Sequence, residues 1–169
     1  GVYVLIEAAV GGGIPIIEPL KQSLGGNKIK KVSGIINGTT NYILTRMAKE
    51  GEDYKNVLKD AQELGYAESD PAADVEGLDA ADKIAILSGL AFGGSIDRSE
   101  IPTSGIDNLK LCDIEYANQL GYSIKLLAVA ERLEDSDNNQ SSLPLGLWVQ
   151  PTLVPEEHPL AGVNGVNNA

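Results

Sequence analysis

A chain of 169 residues with 43% apolar and 22% charged residues is long enough for one domain with a hydrophobic core, which excludes wholesale disorder. Its formal net charge of −11 argues against a surface for nucleic acid or for an anionic membrane. The single cysteine, Cys112, excludes an intramolecular disulfide and a multi-cysteine metal site, reads as a small buried hydrophobe, and fits a reducing, cytoplasmic setting.

Two strands and a helix are predicted before residue 37. Branched apolar residues predict strands over 2–10 and 28–36. Between them, Pro15 suits the first turn of a helix and the glycines at 25–26 suit its end, although Pro19 argues against a long regular helix.

Two amphipathic helices follow. The first is capped by Thr39 or Thr40 and stopped by Gly51, and its apolar face consists of Ile43, Leu44, Met47 and Ala48. The second begins at Asp53 and ends at Gly65, and its apolar residues recur at helical spacing: Tyr54, Val57, Leu58, Ala61 and Leu64.

The second half of the chain alternates helices and strands without a strict repeat. An acidic loop around Pro71 leads into a helix over 78–94, and a loop with a short strand extends to residue 108. The remaining predictions are a helix over 112–121, a strand over 122–133, a turn in the polar tract 134–142 and a partner strand over 145–154. This alternation favours a mixed α/β or α+β sheet domain.

The glycine-rich stretch GGGIPI (11–16) invites comparison with nucleotide-binding loops. A dinucleotide fingerprint would need a glycine where Ile16 stands, and no lysine follows as in a phosphate-binding loop, so both interpretations are rejected. Two remain open. The stretch is a tight strand-to-helix turn, or its carbonyls and Glu7 form a hard oxygen cage for a small cation.

The stretch NGTTNY (37–42) places backbone N–H groups and two hydroxyls at a helix N-terminus. Such a terminus is a natural seat for a carboxylate, and plain helix capping explains the same residues equally well.

The most unusual stretch, residues 65–83, gathers six carboxylates before a lysine: Glu68, Asp70, Asp74, Glu76, Asp79 and Asp82, ahead of Lys83. Their spacing does not match a calcium-binding loop. Asp79 and Lys83 share one helical face, where an exposed pair would contribute under about 1 kcal/mol. The helix beyond is apolar nearly all round, which predicts burial and makes Lys83 a catalytic candidate. The only histidine, His158, lies in a predicted loop without catalytic neighbours.

Four stretches together resemble the homoserine dehydrogenase family. They occur in the family's order: EAAVGGGIPII (7–17), GIINGTTNYILTRM (34–47), AQELGYAESDPAADVEGLDAADK (61–83) and HPLAGVNGVNNA (158–169). The resemblance extends over essentially all of the chain. The fold that this resemblance implies is α+β, a mixed, largely antiparallel sheet covered by helices on one face.

The family's N-terminal nucleotide-binding domain, with its glycine fingerprint and a further catalytic lysine, has no counterpart in these residues. The glycine-rich segment near the family's C-terminal end has none either. The resemblance therefore implies that residues 1–169 are the catalytic and dimerisation portion, which we expect to be inactive by itself.

The activity implied is a reversible hydride transfer between NAD or NADP and the pair L-homoserine and L-aspartate 4-semialdehyde, in threonine and methionine biosynthesis. Lys83 would donate a proton to the forming alkoxide, and Asp79 would bind substrate beside it. Further substrate contacts are implied for Glu68, Asp74, Gly38 and Thr39, and cofactor contacts for Gly65 and Glu68. A monovalent cation, sodium by expectation, would be held by Glu7 and by the main-chain oxygens of Val10, Gly12 and Ile14. A cytoplasmic homodimer without nucleic-acid or membrane partners is expected.

Three functions remain in play from the sequence. The first is the oxidoreductase domain, the second a non-catalytic cation- or small-ligand-binding and dimerisation module, and the third an interaction domain that uses its sheet surface. Only the first explains why the lysine, the acidic loop and the threonine turn occur together.

Overall fold

The computed structural model describes residues 2, 4, 6–133 and 144–169. The helices are α1 (Gly38–Glu50), α2 (Tyr54–Glu63), α3 (Ala72–Val75), α4 (Leu78–Phe92) and α5 (Leu111–Gln119), and the strands are β1 (Lys31–Gly34), β2 (Tyr122–Arg132) and β3 (Leu145–Pro155). Short 3-10 helices span Glu7–Ala9, Arg98–Glu100 and Pro159–Gly162, and a π-helix spans Pro19–Ser23. Within the described ranges, no helix is long and apolar enough to cross a membrane.

The three strands form an antiparallel sheet in the order β1-β2-β3. The central strand β2 pairs Ala128 with Gly34 on one side and with Val149 on the other. A single parallel bridge, Thr103 to Val149, adds the loop before α5 to this sheet. The α+β prediction is confirmed.

The main core lies between this sheet and the helices. Because side chains alternate along a strand, Leu126, Ala128 and Ala130 of β2 face α1, α4 and α5. The intervening Leu127 and Val129 belong to a smaller cluster on the opposite face, beneath the 3-10 helix Pro159–Gly162. Helices therefore cover one face of the sheet. The elements that pack around the larger cluster also bear the residues of the site described below.

The last residues, 163–169, form a segment with a turn at 165–166 that we call the strap. Ala169 and Ile35 exchange two backbone hydrogen bonds of 2.7 and 2.9 Å. Lys125 is only 3% exposed, and its Nζ donates to the Val163 carbonyl at 2.6 Å. Burial lowers the pKa of Lys125 from its ordinary value. Asn41 Nδ2 donates to the same carbonyl, so α1 and β2 both hold the strap.

Most predicted helix ends are confirmed, but the cap of α1 is not the predicted one. Asn37 is the N-cap, since its side chain accepts a hydrogen bond from the Thr40 N–H, whereas Thr40 is already inside the helix. Gly51 ends α1 in the left-handed region with φ 67°, as predicted. Asp53 is the N-cap residue of α2 but makes no capping hydrogen bond.

Two residues with predicted apolar roles are exposed. Ala48 directly follows Met47, the last buried residue of α1, and Leu64, which is 60% exposed, lies three residues after Ala61, the last buried residue of α2. Cys112 is also exposed, because α5 turns Ile114 and Ala117 toward the core instead.

The predicted strand over 2–10 is wrong where the structure describes it. Residues 1, 3 and 5 lie outside the described part, and Glu7–Ala9 forms a 3-10 helix closed by a hydrogen bond from Ala9 N–H to the Ile6 carbonyl. Val2 is 92% exposed, and within the described ranges no strand lies beside this segment to complete a ladder.

The helix predicted after Pro15 is present, but it is of the π type over Pro19–Ser23. The wider turn is seen in the bond from Leu24 N–H to the Pro19 carbonyl, five residues earlier, and Pro19, which has no N–H to donate, begins it. The predicted strand over 28–36 is reduced to β1, and the predicted turn over 134–142 lies outside the described residues.

Candidate active site

The site forms where the chain leaves β1 and meets the start of α4. Lys83 Nζ donates to Asp79 Oδ2 at 2.7 Å and to the Ile36 carbonyl at 3.1 Å. Asp79 and Lys83 are one helical turn apart on α4, so the helix itself sets their separation. An ammonium has three hydrogens, so one remains for a ligand beside these two contacts.

Asn37 joins two carboxylates at this point. Its Nδ2 donates to Asp74 Oδ1 at 2.6 Å and to Asp79 Oδ2 at 2.9 Å. Its Oδ1 accepts from the Thr40 N–H at 2.8 Å. Asn37 is only 5% exposed. One buried amide therefore connects the N-terminus of α1 with Asp74 on α3 and Asp79 on α4.

Gly77 fixes how α3 passes into α4. Its φ is 83°, a region that favours glycine, and an added Cβ would lie 3.1 Å from Thr103 Cγ2. The turn that it makes brings Asp74 at the end of α3 and Asp79 in the first turn of α4 toward the same amide. A side chain at position 77 would disturb both carboxylates.

Gly38 and Thr39 lie at the α1 end of the site. A Cβ on Gly38 would lie 2.7 Å from the Val166 carbonyl oxygen, so the strap passes directly against this glycine. Thr39 Oγ1 donates to the Tyr66 carbonyl at 2.9 Å, which ties α1 to the turn after α2. The predicted substrate residues Gly38 and Thr39 therefore adjoin the Asn37 amide.

The predicted cofactor residues lie at the rim. Gly65 ends α2 with φ 78°, and Glu68 is exposed. The Glu68 backbone carbonyl accepts from Gln62 Nε2 at 3.0 Å, and its carboxylate makes no hydrogen bond or ion pair with the described residues. The structure joins Asp74, Asp79 and Lys83 through Asn37, whereas Glu68 makes no hydrogen bond to this cluster within the described residues.

The charge of the site favours a cationic ligand group. The cluster holds two carboxylates, Asp74 and Asp79, and one ammonium, which contacts Asp79. The side chains of Lys83 and Asp79 are 24% and 31% exposed, within reach of solvent. A ligand with both an ammonium and an oxygen that accepts a proton would match the carboxylates and Lys83 respectively.

Glu7 lies outside this cluster. Its Oε1 accepts from the N–H groups of Ile16 and Ile17 at 2.5 and 2.8 Å, and its Oε2 accepts from Glu18 at 2.8 Å. These backbone hydrogen bonds lower the pKa of Glu7 below its ordinary value.

The predicted cation cage keeps oxygen atoms available. The Glu7 bonds take three of about four lone-pair positions of the carboxylate. The carbonyls of Val10, Gly12 and Ile14 accept no hydrogen bond from the residues that the structure describes. No group of three His, Cys, Asp or Glu side chains suited to a metal occurs in the same ranges. The donor set is therefore all oxygen and singly charged, which suits a hard, monovalent cation.

Comparison with known proteins identifies the family of this chain. The family model described as homoserine dehydrogenase matches residues 15–169. The chain belongs to the homoserine dehydrogenase family. It is 61% identical over 168 residues to a homoserine dehydrogenase of Synechocystis sp. and 46% identical over 169 residues to that of Bacillus subtilis. These matches cover 99% and 100% of this chain but only 38% and 37% of the two relatives.

Solved structures show the same fold. A homoserine dehydrogenase from Thiobacillus denitrificans superposes with a TM-score of 0.89 and 48% identity, over 96% of this chain and 36% of that one. A hyperthermophilic archaeal homoserine dehydrogenase mutant in complex with NADPH gives a TM-score of 0.74 at 28% identity, over 96% of this chain and 43% of that one.

Sequence reasoning missed two contributors to the site. Asn37 and the Ile36 carbonyl complete the cluster, and both precede α1 directly. The signal for Asn37 was present, because asparagine ranks among the best N-cap residues. Nothing local indicated its bonds to Asp74 and Asp79, which are 37 and 42 residues away in the chain.

Proposed function

We propose that this chain is the catalytic and dimerisation portion of an NAD(P)-dependent homoserine dehydrogenase. The reaction is the reversible interconversion of L-homoserine and L-aspartate 4-semialdehyde, a step of threonine and methionine biosynthesis in the cytoplasm. The observation that carries this proposal is the Lys83–Asp79–Asn37–Asp74 cluster within a chain of this family.

Lys83 is the proton donor in our account. Hydride reaching the aldehyde carbon leaves negative charge on the oxygen, and the ammonium of Lys83 neutralises it by transferring a proton. Asp79 keeps the ammonium in place at 2.7 Å, and the Ile36 carbonyl at 3.1 Å fixes a second hydrogen. In the oxidative direction the neutral amine takes the hydroxyl proton back.

The remaining residues hold the substrate. The carboxylates of Asp74, Asp79 and Glu68 suit its amino group, and the N–H groups at the start of α1, beside Gly38 and Thr39, suit its carboxylate. The acidic surplus of this segment is then explained by the positive charge of the substrate.

NADP or NAD is the proposed cofactor, with Gly65 and Glu68 as its contacts in this chain. When bound, a nicotinamide supplies the hydride in reduction and accepts it in oxidation. The exposed position of both residues, at the rim beside Thr39, is compatible with a cofactor that approaches from outside the described core.

A sodium ion held by Glu7 with the carbonyls of Val10, Gly12 and Ile14 is a further part of the proposal. Those three carbonyls and the remaining Glu7 lone pair support it. Glu7 also closes the start of the helical segment that begins near Ile17, so the ion would stabilise this turn and would not take part in proton transfer.

A homodimer is also proposed, through the sheet face opposite the helices. The smaller apolar cluster lies on that face, with Trp148 only partly buried at its edge. Light scattering of the full-length protein at micromolar concentration should give twice the monomer mass. A strict monomer would contradict the dimer proposal alone.

The function is tested with the full-length protein that carries this chain. Cofactor reduction should follow addition of L-homoserine, and cofactor oxidation should follow addition of L-aspartate 4-semialdehyde. Binding of L-homoserine without turnover in either direction would contradict the enzyme proposal and favour the non-catalytic ligand-binding module.

A further inference from the structure

We propose that Asn37 is a positioning residue that holds Asp74 and Asp79 as a pair of charged carboxylates facing the substrate. The inference rests on the proposed function and adds to it a residue outside the implied set of contacts. Asn37 acts through the two aspartates and is not itself placed on the reacting atoms.

The orientation of the Asn37 amide is fixed by its neighbours. Its Oδ1 accepts from both the N–H and the Oγ1 hydroxyl of Thr40, at 2.8 and 2.9 Å. Because the Thr40 N–H and the Thr40 hydroxyl are both donors here, Asn37 Oδ1 must face α1 and the Asn37 NH₂ group must face the carboxylates.

The NH₂ group has two hydrogens, and two carboxylates receive them. Asp74 Oδ1 accepts at 2.6 Å and Asp79 Oδ2 at 2.9 Å. Two like charges brought to one place repel each other, and a neutral double donor between them offsets that repulsion. Since Asn37 is 5% exposed, water competes little for these bonds.

Helix capping alone does not require an asparagine here. The cap uses only Oδ1, and serine, threonine or aspartate caps a helix about as well. The amide is needed only for its second function, the donation of two hydrogens. The two functions can therefore be separated by substitution at this one position.

The arrangement leaves defined atoms for a ligand. Asp79 Oδ2 is occupied by Asn37 and Lys83, so Asp79 Oδ1 and Asp74 Oδ2 are the oxygens left for an ammonium group. The groups that face the amide are Asp74 from α3, Asp79 from α4 and Thr40 of α1, and Lys83 donates to the same Asp79 oxygen as the amide does.

Two variants of the full-length protein separate the roles. Asn37→Asp keeps the shape and the cap but replaces the two donated hydrogens by a third negative charge. Asn37→Ser keeps a capping hydroxyl and removes the amide. For both we expect the KM for L-homoserine to rise roughly 10- to 100-fold, the range given by a lost hydrogen bond to a charged group. The KM for NADP or NAD should stay within about twofold, because the cofactor contacts are elsewhere in the proposal.

The pH dependence gives a readout that a purely structural role would not move. In Asn37→Asp, protonation of the introduced carboxyl group restores an O–H donor, so the KM difference from wild type should narrow as pH falls from 8 to about 5. The KM difference between Asn37→Ser and wild type should stay constant with pH. Thermal unfolding checks that each variant is folded, and where Asn37→Asp does not fold, the KM of Asn37→Ser decides.

Turnover by wild type and the KM values of the two variants decide between the inference and the proposed function. If wild type turns over L-homoserine and both variants keep its KM and its pH profile, this inference is overturned and the proposed function is left intact. A wild-type protein that does not turn over L-homoserine would overturn the proposed function and the inference with it.

Discussion

Replacing Lys83 by methionine should separate catalysis from stability. The pair with Asp79 is 2.7 Å long but its side chains are 24% and 31% exposed, so its loss should cost less than about 1 kcal/mol of unfolding free energy. In thermal unfolding this is a shift of no more than about 4 °C. If Lys83 is the proton donor, kcat should fall by roughly two to four orders of magnitude.

The chain offers a matched control for this variant. Lys59 and Glu63 form an exposed ion pair on α2 with the same spacing of four residues, at 3.6 Å. Lys59→Met removes an equivalent surface pair away from the site, so its kcat should equal that of wild type. Both variants are assayed in the full-length protein by initial rates with L-homoserine and by thermal unfolding.

One outcome would contradict the role of Lys83 as proton donor. If Lys83→Met and Lys59→Met both keep kcat within about threefold of wild type, Lys83 is only one half of a surface ion pair, whose contribution is of that small size.

Three further predictions concern the surroundings of the site. Gly38→Ala places a Cβ 2.7 Å from the Val166 carbonyl and should destabilise the protein by about 1–3 kcal/mol, whereas Gly162→Ala, with open space around it, should not; thermal unfolding compares them. Burial lowers the pKa of Lys125, so the unfolded state binds this proton more tightly than the folded state does. The free energy of unfolding of wild type should therefore rise relative to that of Lys125→Met as pH rises toward about 10.4. The same pH dependence of unfolding free energy in both proteins would contradict this. Backbone hydrogen bonds lower the pKa of Glu7, so its charged form stabilises the folded state and Glu7→Gln should reduce the melting temperature at pH 7. The difference in melting temperature between the two proteins should shrink as pH falls below about 4.3. A difference that stays constant with pH would refute the role of the charge.

The sequence predicted those parts of the fold that depend on local signals. Gly51 and Gly93 end α1 and α4 where a glycine follows an apolar helical run, and the two strands predicted on either side of a polar tract are the pair β2 and β3. The i, i+4 spacing of Asp79 and Lys83 is also local, so their contact followed from the helix alone.

The parts that failed depend on neighbours distant in the chain. The stretch NGTT offers three residues that can cap a helix, and nothing local indicated that Asn37 also donates to Asp74 and Asp79. An apolar run such as 2–10 reads as a strand from its residues, but a strand exists only beside a partner. The position of Glu68 could not be predicted either, since the resemblance names a role and gives no distance.

The central claim is that the Lys83 ammonium transfers a proton and does more than supply charge. Its most direct test is the kcat of a Lys83→Arg variant of the full-length protein with L-aspartate 4-semialdehyde at neutral pH. Arginine keeps the positive charge near Asp79 but holds its proton too tightly to donate it, so we expect kcat to fall by roughly two or more orders of magnitude. A Lys83→Arg protein with near-normal kcat would contradict the account.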